Sequence, residues 1–281
     1  MKKLIALVLS LIMVMCCFAA CGGNNTPTNA ADNNTATPTD PTPSKEVITV
    51  GYTLYAPMNY EDENGELIGF DTELAKAVFE GLGYEVNFQL IDWSAKYTDL
   101  DSGTIDCVWN GFTCNTTDND GIARADKVDF SYNYMENRQV VVVKTDSAIA
   151  SAADLEGKVA GVENGSAGEA YAKSFAGVMT TGYDYQTTAL LELKSGAIDF
   201  AVLDAQLAKS YCGKGDYTDL KIVDTLSSDV EYYAIGFKKG SDLTAKVNAQ
   251  LEALAADGTI LALAEKYGVV NTTITDFSDQ K

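Results

Sequence analysis

The sequence predicts an α/β protein of two lobes with a ligand cleft between them, the lobes joined by two hinge strands. Three observations carry that expectation. From residue 46 onward strand-like and helix-like segments alternate, the order of an open sheet covered by helices. A seven-residue stretch recurs, "LDSGTID" at 100–106 and "LKSGAID" at 193–199, each a helix end, a Ser-Gly break and a strand start. Two extended segments, "NRQVVVVK" (137–144) and "EYYAIGFKK" (231–239), stand where the chain would cross between lobes and return.

Taken in order, "VITVGYT" reads as a strand and "FDTELAKAVFEGLG" as a helix. That helix has Asp71 near its start, Leu74, Val78 and Leu82 on one stripe, and Gly81 and Gly83 at its end. "YEVNFQLI" alternates as a strand does, "SAKYTDLDSG" is a short helix, and "TIDCVWNGF" is the next strand. The second copy of the repeat leads into "FAVLDA". Aligning the copies sets Asn110 and Gly111 against Leu203 and Asp204, so each lobe brings a strand end to the cleft, where open sheets bind ligands. The last helices carry Leu243, Val247, Leu251 and Leu254 at helical spacing and are expected to return to the first lobe. The expected division is a signal at 1–20, a tether at 21–45, a first lobe at 46–138, a second at 139–235, and the return at 236–281. Two crossings permit hinge closure over a ligand.

Two lysines and an apolar run from Leu4 to Phe18 begin the chain, too short for a comfortable membrane span, and read as a secretory signal. Residues 22–45 hold four of the five prolines among many Asn and Thr. They have too few apolar groups to offset chain entropy and read as a disordered tether reaching about 25–30 Å. Removing residues 1–20 takes away two lysines and no acid, so the net charge of -20 becomes -22. Such an acidic surface argues against nucleic acid as a partner. There is no histidine and no Cys-x-x-Cys pair, and the body cysteines Cys107, Cys114 and Cys212 are odd in number. No metal site and no cofactor is therefore expected. Cys107, within "IDCVW", reads as a buried thiol.

The only two arginines, Arg124 and Arg138, fall within fifteen positions. Arg138 belongs to a hinge or the surface, whereas Arg124 follows "WNGFT". Four stretches are expected to converge on the cleft: "GYTLYAPMNY" with Tyr52 and Tyr55; Trp93; "WNGFT" with Asn110, Gly111 and Thr113, then Arg124; and "GVENGSAGEAY" with Ser166 and Ala167 at a helix start. Arg124 and that helix start would grip one carboxylate, the guanidinium in a two-pronged contact. Asp204, on the far wall, would hold an ammonium. A facing cation and anion suit a zwitterion, an amino acid. Each residue also has a plain structural reading: Arg124 as a solvated surface residue, Ser166 with Glu169 as a capping box, the aromatics as core, and Asp204 as a helix cap.

The stretches "NGELIGFDTELAKAV", "LDSGTIDCVWNGFT", "RADKVDFS", "DLEGKVAGVENGSAGEAY", "LKSGAIDFAVLDA" and "ADGTILALAEKYG" cover residues 47 to about 268 in order. On them the chain resembles the family 3 extracellular solute-binding proteins, the polar-amino-acid receptors of ABC importers. The resemblance implies a two-lobed periplasmic-binding-protein fold of type II. It also implies ligand contacts at Tyr55, Trp93, Gly111, Thr113, Arg124, Ser166, Ala167 and Asp204. Likewise "FAAC" resembles the bacterial lipoprotein signal, with Cys21 lipidated and the protein held on the outer face of the cell membrane; a plain signal peptide is the alternative. Two places depart from the family pattern: "CNTTDNDGIA" is longer than the usual link before the arginine, and Tyr52 stands where binders of basic amino acids carry an acid. The latter disfavours lysine and arginine as ligands. The lack of a second cation in the pocket segments disfavours glutamate and aspartate, leaving a neutral or polar amino acid. The expected protein is a monomeric, cofactor-free receptor that hands its ligand to a membrane permease. A ligand-sensing partner of a signalling receptor is the alternative, and a dehydratase-like enzyme a remoter one, since histidine is absent and Asp204 is engaged.

Overall fold

The computed structural model describes residues 46–281; the expected signal, Cys21 and the tether lie outside them. The chain opens with β1 (Val47–Tyr52), which buries Ile48 and Val50, and passes through a small hairpin of β2 (Tyr60–Glu61) and β3 (Leu67–Ile68). In α1 (Phe70–Gly81) the apolar stripe Leu74, Ala75, Val78 and Phe79 is fully buried, as 3.6-residue spacing requires of a helix covering a sheet. There follow β4 (Glu85–Leu90), α2 (Lys96–Ser102), β5 (Cys107–Val108), α3 (Arg124–Lys127), β6 (Val128–Phe130) and β7 (Met135–Asn137). The second lobe contains β8 (Gln139–Lys144), β9 (Val159–Glu163), α4 (Ala167–Lys173), β10 (Met179–Tyr183), α5 (Gln186–Ser195), β11 (Phe200–Asp204), α6 (Ala205–Tyr211) and β12 (Leu220–Ser227). The chain ends through β13 (Glu231–Tyr233), β14 (Gly236–Lys238), α7 (Leu243–Ala256) and α8 (Thr259–Tyr267).

Two five-stranded sheets result, in orders β4-β1-β5-β14-β6 and β10-β9-β11-β8-β12. β14 adds antiparallel to β5 and β6, and α7 and α8 pack on α1, burying Val247, Leu251 and Ile260. The sequence echo has a direct counterpart. Helices α2 and α5 both end on serine and are capped by left-handed glycines, Gly103 (φ 74°) and Gly196 (φ 87°). A β-carbon would strain either turn. Each then delivers its chain into the strand, β5 or β11, that points at the cleft.

One crossing lies inside its extended segment, β13 within "EYYAIGFKK", and the other just before, β7 ending at the first residue of "NRQVVVVK". The run Val140–Val143 lies inside the second sheet as β8, flanked by β11 and β12 and buried. A continuous apolar run needs cover on both faces, which only a central strand supplies. The crossing is the antiparallel pair β7 and β13, three residues each. Arg138, just past β7, is exposed and donates from Nη1 to the Ser228 carbonyl at 2.6 Å. Cys107 is fully buried, and Cys107, Cys114 and Cys212 are all free thiols.

Candidate functional site

A closed cavity lies between the lobes. Trp93, Asn110, Gly111, Thr113 and Arg124 form its first-lobe wall, and Glu163, Ser166, Ala167, Gln186 and Asp204 its second-lobe wall. Every strand-end element named in the repeat reaches it: "WNGFT" after β5 and Asp204 at the end of β11. The free space left between the walls is about 10 Å³, the scale of one water molecule, so loading requires the lobes to part.

Arg124 is the first residue of α3 and is 1% exposed. Its Nε donates to Asp118 Oδ1 at 2.7 Å, Nη1 to the Thr113 carbonyl at 3.2 Å, and Nη2 across the cleft to the Gly165 carbonyl at 3.2 Å. Its guanidinium carbon stands 5.2 Å from the centre of the Phe112 ring. A guanidinium has five N–H donors. Three are engaged, which leaves two, the number that a carboxylate accepts side by side. Burial pushes the Asp118 carboxyl up, but the Arg124 charge and bonds from Lys127 and Tyr97 outweigh it and hold it at about 2.

On the opposite wall Asp204 precedes α6, yet its side chain does not cap that helix. It accepts instead from Asn137 Nδ2 at 2.6 Å, Gln139 Nε2 at 2.7 Å and the Tyr233 hydroxyl at 2.8 Å, all on Oδ1, and from Gln186 on Oδ2. All four donors are neutral. Burial raises the Asp204 carboxyl above its ordinary range despite them. Asn137 and Gln139 also donate to Glu231 Oε1, each at 2.6 Å, so two buried acids share the same amides. Burial, then the Asp204 charge, lift Glu231 to about 7 and Glu163 to about 8.

Eight of the ten residues expected in the cleft thus line one cavity. Tyr52 and Tyr55 do not. Tyr52 is buried at the end of β1 with its ring edge-on to Phe88 at 6.2 Å. Tyr55 lies beneath the floor, because a β-carbon on Gly111 (φ 59°) would sit 2.6 Å from its Cε1, and its hydroxyl meets that of Tyr233 at 2.6 Å. It supports Asp204 through Tyr233. Ser166 accepts the Glu169 amide at 3.0 Å, and Glu169 Oε2 accepts the Gly165 amide at 2.8 Å, so a capping arrangement is present as well as a place on the cavity wall.

Three groups escaped the sequence reading. Glu163 ends β9 as Asp204 ends β11, in parallel neighbouring strands; an acid closing an apolar run at both strand ends was the available signal. Gln186 opens α5 and had none. Lys96 qualifies one expectation: a second cation stands beside the cavity, though not among the residues that line it. It is 2% exposed, its Nζ donates to the Trp93 carbonyl at 3.1 Å and to the Gly165 carbonyl at 3.2 Å, and it lies 4.8 Å from the Trp93 ring centre. Burial, then the Arg124 charge, bring it down to about 7. A helical lysine normally points to water, which is why its spacing gave no warning.

A roomier groove on the first lobe, between Tyr84, Ile105 and residues 238–243, offers less chemistry. Its lysines are engaged: Lys238 with the Asp101 carbonyl, Lys239 with Asp129 and Lys246 with Asp242. Among the described residues no cluster of His, Cys, Asp and Glu is placed to hold a metal, and no helix is long and apolar enough to cross a membrane.

Residues 48–270 match the model of the bacterial extracellular solute-binding proteins, family 3. The chain belongs to that family. Among its relatives are the arginine-binding extracellular protein ArtP of Bacillus subtilis (strain 168), 30% identical over 92% of this chain and 96% of that protein. The L-cystine-binding protein TcyA of the same organism is 30% identical over 95% of this chain and 97% of its own length. Among solved structures, an ancestral arginine-binding protein bound to arginine superposes with a TM-score of 0.72 at 38% identity, covering 79% of this chain and 98% of that one. The ancestral amino acid-binding protein AncCDT-1, a precursor of cyclohexadienyl dehydratase, gives a TM-score of 0.70 at 32% identity over 79% and 95% of the two chains. This solute-binding protein therefore has the two-lobed α/β fold of its family, is extracytoplasmic in family type, and is a binding protein rather than an enzyme.

Proposed function

We propose that this solute-binding protein captures one free amino acid with an uncharged side chain between its lobes and delivers it to an ABC permease. Cys21 would carry a lipid anchor on the outer face of the cell membrane, and the protein would act as a monomer. The observation that carries the reading is that Arg124 and Asp204, from different lobes, line the same buried cavity. Arg124 keeps two donors for an α-carboxylate. Asp204 is surrounded by neutral donors and gains most from an α-ammonium. Beyond that pair, Lys96 and Glu163 are of opposite sign and burial drives both toward neutrality, which favours a ligand without net charge.

One observation favours a second reading. Glu163 is an acid on the cavity wall without a cation bonded to it among the described residues, so a cationic side chain would find a partner there. Arginine is what the relative ArtP is named for binding, and cystine what TcyA is. A thermal-shift panel of the twenty amino acids and cystine separates the readings, since a ligand raises the melting point by mass action. An amino acid with an uncharged side chain giving the largest shift supports the first; cystine giving it keeps a ligand without net charge but overturns the uncharged side chain. Arginine or lysine giving it replaces the first with the second, and no shift with any of them removes both. Replacing Cys21 with serine is expected to release the protein from the membrane fraction.

A further inference from the structure

The loop from Cys114 to Ala123 contributes no residue to the cavity wall, yet it is built in detail. The Cys114 amide donates to the Tyr232 carbonyl at 2.9 Å, and Asn115 Oδ1 accepts the Tyr232 amide at 2.9 Å, which roots the loop on β13. Its tip is closed by Asp118 N to Ile122 O at 3.0 Å and Gly121 N to Asp118 O at 2.9 Å. From that tip two adjacent side chains reach different walls. Asp118 takes Arg124 Nε on Oδ1, and takes Lys127 Nζ at 2.8 Å and the Tyr97 hydroxyl on Oδ2. Asn119 Nδ2 crosses to Glu169 Oε2 at 2.8 Å, the same oxygen that holds the Gly165 amide. The Gly165 carbonyl in turn accepts Arg124 Nη2. These contacts form a ring, from Arg124 through Asp118, Asn119, Glu169 and Gly165 back to Arg124, that crosses the cleft twice.

We propose that the loop is a positioning arm for the ligand grip: Asp118 sets the Arg124 guanidinium by its Nε edge, leaving its other donors for the ligand, while Asn119 fastens the opposite wall. This deepens the reading of Arg124 as the carboxylate partner and rests on it. Neither residue touches the ligand. The physical content is a division of labour. The Asn119–Glu169 bond exists only when the lobes are together, so it governs the balance between open and closed forms. The Asp118–Arg124 pair lies within one lobe and survives opening, so it governs how well the guanidinium is aimed in either form.

The two roles separate in one experiment. The chain has two tryptophans, and Trp93 is on the cavity wall. In protein labelled with 5-fluorotryptophan, fluorine NMR reports open and closed populations at Trp93, assigned by Trp93→Phe. The probe is an equimolar mixture of the twenty amino acids and cystine. Asn119→Ala, at an exposed position, is expected to lower the ligand-free ratio of closed to open about five-fold and to raise the mixture's midpoint by the factor by which the closed fraction falls. Asp118→Asn is expected to raise the midpoint by clearly more than it lowers the ligand-free ratio. An unchanged ratio in Asn119→Ala overturns the proposal, as does an Asp118→Asn midpoint that follows its ratio alone. If the wild type ignores the mixture, the amino-acid reading fails separately, and the ligand-free ratio in Asn119→Ala still decides this one.

Discussion

The two walls of the cleft handle buried charge in opposite ways. On the first lobe, Arg124 is balanced at home by Asp118 at 2.7 Å and by the Thr113 carbonyl. On the second-lobe side, Asp204 has only neutral partners, and burial, then the Asp204 charge, lifts the nearby Glu163 and Glu231 carboxyls to about 8 and about 7. A buried charge without a counter-ion is costly, whereas a paired one nearly breaks even. Arg124 is therefore compensated within its own wall, whereas Lys96 beside it has only carbonyl partners and is brought down to about 7 by burial, then by the Arg124 charge. The anionic wall is one cation short, and a proton or a ligand ammonium can supply it.

The largest expected effect follows from removing the compensated charge. Arg124→Ala should cost about 2–5 kcal/mol of ligand binding in calorimetry, because the ligand's carboxylate would be buried unpaired. It should also lower the melting point of the ligand-free protein, since Asp118 and two carbonyls lose their donor. Asp204→Asn should weaken binding by a smaller amount, about 1.5–3 kcal/mol, while the ligand-free melting point rises. The opposite signs in the ligand-free protein are the sharp test of the contrast. A fall in both variants would mean that the anionic wall is as well compensated as the cationic one.

Next in size is a pH effect of a few degrees in melting temperature. Glu163, held at about 8, and Glu231 and Asp71, each at about 7, bind protons more tightly folded than unfolded, where carboxyls titrate near 4. Between those limits the folded state carries more protons, so stability falls as pH rises from about 4 to 8. Lys96 has the reverse sign: lowered from 10.5 to about 7, it leaves the unfolded state with more protons in that window, and stability rises with pH across it. The ligand-free melting point should thus be lowest between pH 7 and 8. Glu163→Gln should flatten the acid branch and Lys96→Met the alkaline one. A melting point that climbs steadily through neutrality would show that the anionic wall carries its charge at no cost.

Much of this architecture was legible in the sequence, for reasons that particular residues make plain. The α1 stripe and the paired Ser-Gly helix ends follow from spacing and from backbone angles that only glycine takes easily, so they survive any tertiary context. Asp204 was singled out because the repeat put a strand end on each wall, and Arg124 because it is one of only two arginines and follows "WNGFT". Lys96 was missed because a helical lysine normally points to water, whereas here first-lobe rings and the Gly165 carbonyl enclose it; Glu163 was missed although an acid closing an apolar run, as at Asp204, was there to read. The first crossing falls just before the extended segment expected to make it because β7 and β8 are both extended, and pairing partners far apart in sequence decide which one leaves the sheet.

The smallest expected effect concerns Tyr55, which the sequence put against the ligand and the structure puts beneath the floor. Its hydroxyl bonds Tyr233, and the Tyr233 hydroxyl bonds Asp204, so Tyr55 acts on the anionic wall at one remove. Tyr55→Phe deletes one buried hydroxyl contact and should lower the unfolding free energy by about 1 kcal/mol in a urea titration. Ligand affinity should then change by less than about three-fold, because Asp204 keeps its amide donors. A direct contact would behave the other way round, with affinity losing more than stability. Comparing the two losses in a single variant therefore places Tyr55 either under the wall or on it, and so shows whether the hydroxyls behind Asp204 belong to the scaffold or to the ligand.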